Sequence, residues 1–151
     1  MNTQTITKQD IGLALIRAMI GIVFIFHGGQ KLFGLWGGYG IQGTAQFMAS
    51  INIPLPTLSA VMAGTAEFFG GIALIIGVLF RFSSASLVFT MLVAAFAVHG
   101  GAFSAQNNGL EYPLTLAIVA LGLVFTGAGR LTVLSLLPEK QLEPVAQPVD
   151  A

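Results

Sequence analysis

Four long apolar blocks, each broken by at most three ionisable residues, limit this chain more than any other feature. Residues 11–33 contain Arg17, His27 and Lys31, residues 57–80 contain Glu67 alone, and residues 83–103 contain His99. Residues 112–128 contain no ionisable group beyond Tyr112 at the start, with Glu111 just before it. At 1.5 Å of helical rise per residue the first block reaches roughly 34 Å, enough to cross a hydrocarbon core of about 30 Å. Charged residues make up only 8% of the chain, where a soluble domain carries about 25%. The surface must therefore meet lipid. The expected fold is all-α, a polytopic membrane four-helix bundle, with a polar N-terminus over 1–10 and a membrane domain over 11–137. The polar, proline-containing stretch 138–151 is expected to be a disordered tail.

Several function classes fall away at once. Six Lys plus Arg balance six Asp plus Glu, so no basic excess exists to hold a nucleic-acid backbone. Cysteine is absent, which removes disulfides, dithiol redox chemistry and iron–sulfur ligation. No phosphate loop, nucleophile elbow or flavin fingerprint occurs. The histidines fall in no H-E-x-x-H or E-x-x-H pattern, so no metal site is expected, and bis-histidine haem is the weaker cofactor reading. A cleavable signal peptide is disfavoured because no A-x-A site follows the first block. Lys8, Arg17, Arg81, Arg130 and Lys140 group at the two termini and the turn between the second and third spans, which predicts cytoplasmic termini. Lys31 alone lies on the other side.

The first outer loop, 34–56, begins with Trp36 and Tyr39 among glycines, the composition of an aromatic belt at headgroup level. Within it, 44–51 is expected to form a short interfacial helix lying on the outer surface, stopped by Pro54 and Pro56. Ala63, Ala66, Gly70, Ala73 and Gly77 recur every three or four residues and predict a helix-contact face that could also hold other chains. On the first span Arg17, Phe24 and Lys31 recur every seven residues, with His27 one turn before Lys31, so these polar groups share a face. A short echo links His27-Gly28-Gly29 to His99-Gly100-Gly101, as duplication of a hairpin would produce.

An ionised group in hydrocarbon costs at least about 2.5 kcal/mol, so each needs a partner or a task. Glu67, near the expected midplane, reads either as a structural pin paired with Arg17 or His27, or as a proton-exchanging or substrate-binding carboxyl. Arg17 reads as a headgroup-snorkelling residue or as that partner. His27, Lys31, His99, Glu111 and Tyr112 fall near the outer interface and, with Glu67, are expected to form one outward-facing polar pocket. In it Glu67 and His27 are the catalytic candidates, and Arg17, Lys31, His99, Glu111 and Tyr112 the ligand-binding ones.

Arg17, the run His27-Gly28-Gly29-Gln30-Lys31-Leu32, Gly43, Phe47, Pro54, Glu67 through Gly71, Leu74, Gly77, Arg81 and Gly127 through Arg130 together resemble the DoxX family of small four-helix membrane proteins. The resemblance implies a multi-pass protein of the bacterial inner membrane. Some relatives serve as a small subunit of a thiosulfate:quinone oxidoreductase and others accompany sulfur-transfer or antioxidant enzymes. Relatives often continue the last motif with a Ser-Leu-Asp step, where this chain has Thr132, Val133 and Leu134. The expected role is a membrane subunit or accessory of a quinone- or sulfur-linked redox system, with a quinone as the cofactor class and other membrane or redox subunits, or further copies of itself, as partners. The alternatives are a noncatalytic anchor or assembly subunit, and a small-molecule transporter.

Overall fold

The computed structural model describes residues 5–133 and 135, and among them every regular element is helical. Helix α1, Lys8–Phe33, starts on a reciprocal cap: the Asp10 amide donates to Thr7 Oγ1 (3.2 Å) and the Thr7 amide to the Asp10 carboxylate (2.9 Å). Gly34 ends it in the left-handed region. Helix α2, Gly40–Ser50, sits inside the first loop. Helix α3, Pro56–Ile76, has proline at its first position, where the missing N–H leaves no bond unmade, and stops at the left-handed Gly77. Helix α4, Phe80–Val93, continues as one π-helical turn, Ala94–Val98. Helix α5, Glu111–Thr126, completes the set.

Three helical segments are long and apolar enough to cross a membrane, namely α1, α3 and α4 with its π turn. At 16 residues α5 is shorter, about 24 Å. Tight pairing joins α1 to α3 and α4 to α5, α3 links the two pairs through α4, and of the helices that neighbour each other α1 and α5 touch most sparsely. The core between them holds Phe24, Leu74, Leu87, Leu116, Ala117, Ala120 and Leu123. Outward-facing Ile16, Met19, Ile22, Phe82, Phe89, Phe96, Ile118 and Phe125 make the sides apolar, as lipid contact requires. Arg130 Nη1 donates to Thr5 O (3.3 Å), so the first and last described residues lie at one end of the bundle, here called the terminal end. The opposite, distal end carries residues 34–55 and 99–110.

Several element bounds differ from those expected. The short helix begins at Gly40 rather than residue 44, and it rests on α3 and α1 with Thr44 and Ala45 buried, because its small residues fit against α3. Pro54 precedes the next helix and Pro56 begins it, so α2 ends before either. The second span stops at Ile76 and the third begins at Phe80, since Gly77 turns the chain. The third span also ends at Val98 rather than 103.

The small-residue face is rotated from the expected one. Buried on α3 are Ala60, Gly64, Glu67, Gly70, Gly71 and Leu74, while Ala63, Ala66 and Ala73 are only half-buried. A Cβ on Gly28 would lie 2.3 Å from Phe68 N, and one on Gly71 would lie 2.6 Å from Gly21 O. Glycine is needed there because the two backbones touch. Gly70 faces Leu87 of α4, so these glycines serve packing inside the chain.

Candidate functional site

The distal half of α1, the middle of α3 and the first turn of α5 hold two neighbouring sets of polar contacts, here called the distal cluster. Lys31 Nζ lies 2.5 Å from Glu67 Oε2, an ion pair in which Glu67 is 1% exposed and the Lys31 side chain 29%. Gly64 makes the approach possible, since a Cβ there would already lie 3.3 Å from Lys31 Cβ and 2.8 Å from the Leu32 side chain. One turn back on α1, His27 Nδ1 lies 3.2 Å from Gln30 Oε1. Tyr112, in the first turn of α5, places its hydroxyl 3.4 Å from His27 Nε2, with the two rings 6.2 Å apart in an edge-on arrangement.

The turn after α1 closes over this cluster. Trp36 adopts a left-handed backbone (φ 51°), and its indole stacks on Phe26 at 5.2 Å and lies across Gly29, where a Cβ would come within 2.6 Å of the ring. Gln30 Nε2 donates to Trp36 O at 3.4 Å. Gly38 packs against the α1 backbone at Gln30 so closely that a Cβ would lie 2.4 Å from its Cα. Gly28 and Gly29 therefore serve close packing, against Phe68 and Trp36 respectively.

Lys31 with Glu67, and His27 with Tyr112, are brought together near the distal end. Arg17 is not. It is 4% exposed at the terminal end, and its guanidinium donates to the carbonyls of Ala128 and Leu131, with Phe80's ring 5.9 Å away. It neither snorkels nor pairs with Glu67, because the segment after α5 offers carbonyls within its reach and Glu67 is held by Lys31. His99 is also apart: it follows the π turn and its Nδ1 donates to Asn108 O (2.9 Å), which closes the second distal loop. Its glycines lie in that turn rather than in a helix, so the His-Gly-Gly echo has no structural counterpart. Among the described residues, no ion pair or side-chain hydrogen bond joins Glu111 to the cluster. Nor do they contain a group of three or more His, Asp or Glu side chains suited to a metal ion.

Gln30 and the Trp36 carbonyl escaped the sequence reading. The i, i+3 relation of His27 to Gln30 on one helix was the available signal. Trp36 carried none, since its role depends on a backbone turn.

These features define a small multi-pass helical membrane protein with a partly buried ion pair and a histidine-centred polar rim at one end. The DoxX family profile matches residues 12–100, and the chain belongs to that family. "Putative oxidoreductase CatD" of Bacillus subtilis (strain 168) is 31% identical over 76% of this chain and 79% of its own length. "Inner membrane protein YqjF" of Escherichia coli (strain K12) is 31% identical over 87% of this chain and 96% of its own. "Inner membrane protein YphA" of the same organism is 29% identical over 82% and 89%. With the apolar helices, these relatives make the chain a multi-pass protein of a bacterial inner membrane. No solved structure matches it.

Proposed function

We propose that the protein is a membrane subunit or accessory of a redox system, oriented with both termini in the cytoplasm, and that its distal cluster receives the headgroup of a lipid-soluble quinone. The observation that carries this reading is the half-exposed Lys31, paired at 2.5 Å with enclosed Glu67, beside His27 and Tyr112 at the rim of the bundle. Such a rim offers hydrogen-bond donors and acceptors to a planar oxygen-bearing ring while its tail stays in lipid. Lys31 and His27 would bind the headgroup oxygens and Glu67 would exchange protons. The oxidoreductase name of the Bacillus relative agrees with a redox association. With no cysteine and no flavin motif, the chain would work with further membrane or redox subunits that supply electron transfer.

The test is to purify the protein in mild detergent and quantify extractable quinone in wild type, Glu67→Gln and His27→Ala. Stoichiometric quinone in wild type and severalfold less in both variants is expected. Equal content in all three, or none in wild type with native lipid retained, overturns the reading.

A further inference from the structure

The orientation of one side-chain amide decides what His27 can bind. Trp36 O can only accept, so the Gln30 group facing it at 3.4 Å must be the NH₂. The reverse orientation would set two oxygens against each other. Gln30 Oε1 is then the atom 3.2 Å from His27 Nδ1, and that nitrogen must carry the proton. In the neutral ring Nε2 is left without a proton, a lone pair that, among the described residues, the Tyr112 hydroxyl alone answers with a long 3.4 Å contact. The Trp36 turn is itself fixed, by the Phe26 stack and by two glycines, Gly29 and Gly38, whose Cβ positions are already filled.

We infer that Gln30 is a positioning residue that locks His27 as an acceptor, so that the rim selects a hydroxyl-bearing headgroup, the reduced hydroquinone, over the oxidised quinone. This rests on the quinone reading above. A hydroquinone hydroxyl donates to Nε2 and replaces the Tyr112 hydroxyl. A quinone carbonyl only accepts, and it would meet the Nε2 lone pair unfavourably. No electron or proton transfer is required for this selectivity.

The chain has two histidines, which makes the ring states directly measurable. Full-length protein labelled with ¹⁵N-histidine is studied by NMR in nanodiscs at pH 7.5, with His99→Gln to assign the signals. The expected result is an Nδ1–H ring at His27 that converts largely to Nε2–H in Gln30→Leu, while His99 is unchanged because its own partner is a loop carbonyl. An Nε2–H or doubly protonated His27 in wild type, or no change in Gln30→Leu, overturns the assignment. Short-tailed hydroquinone and quinone probes are then titrated separately. Wild type is expected to favour the reduced probe about tenfold, the worth of one net hydrogen bond, and Gln30→Leu to lose that preference. Equal affinity for the two probes defeats the selectivity and leaves the quinone site standing. Binding of neither probe defeats both, whatever the tautomer.

Discussion

Glu67 is almost wholly enclosed while its partner Lys31 keeps nearly a third of its side chain exposed, and this inequality orders the effects of substitution. Removing Lys31 strands a carboxylate that water cannot reach. Removing Glu67 strands an ammonium whose flexible stem can carry it outward. We therefore expect Lys31→Met to lose about 3 kcal/mol or more of stability, Glu67→Gln distinctly less, and the double variant Lys31→Met/Glu67→Leu to recover most of the loss. Thermal unfolding in one detergent checks the order, and a larger loss in Glu67→Gln would contradict it. The sequence made both residues conspicuous, because a charge in an apolar block needs a reason. It could not reveal that they answer each other. The sequence offered Arg17 or His27 as the partner of Glu67, yet Arg17 lies 14 positions before Lys31 on α1, roughly 21 Å away along the helix.

At the level of elements, the four bundle helices were legible from hydrophobic block length and the loop helix from the stretch ahead of Pro54, but the stagger between α1 and α3 was not. Gly28 opposes Phe68, and Gly64 opposes Lys31 and Leu32, so the first two turns of α3 project beyond Lys31 and carry α2. Depth counted along the second apolar block puts Glu67 near the midplane, and this offset is what brings Lys31 level enough to reach it. Nothing in either helix states this offset, which backbone contact at glycines decides. Gly28→Ala and Gly71→Ala should each cost about 1 to 3 kcal/mol, since their Cβ atoms would enter backbone on the facing helix. Gly12→Ala and Gly122→Ala have open space around the new methyl group and should fall within about 1 kcal/mol of wild type, on the stabilising side. Side-by-side melting curves test the contrast. Equal losses at all four sites would mean that the α1–α3 contact is not as close as described.

At the level of the whole molecule, two helix pairs must be closed into one bundle along the loosest seam, between α1 and α5. The seam is bridged at the distal end by His27 and Tyr112 and at the terminal end by Arg17. Arg17 fastens the segment after α5 by donating to the carbonyls of both Ala128 and Leu131. The same segment is tied to α3 by Val133 N donating to Ile76 O (3.0 Å), and Thr132 fills the space beside Gly77. Hydrogen bonds from a charged donor contribute about 1.5 to 3 kcal/mol each, so losing both in Arg17→Met should raise the opened population of 127–133 by roughly a hundredfold or more. Arg130 lies within that segment and provides a trypsin site that reports its opening. Where opening is fast relative to cleavage, the cutting rate follows that population. Arg81, at the start of α4 and at the same end of the bundle, provides the control. In a fixed detergent, cleavage after Arg130 should accelerate strongly in Arg17→Met while cleavage after Arg81 stays near the wild-type rate. Arg17→Lys, with one point charge for two carbonyls, should fall between. Equal acceleration at both sites would show that Arg17 supports the whole bundle rather than fastening its last segment, and no acceleration would show that the segment is held without it.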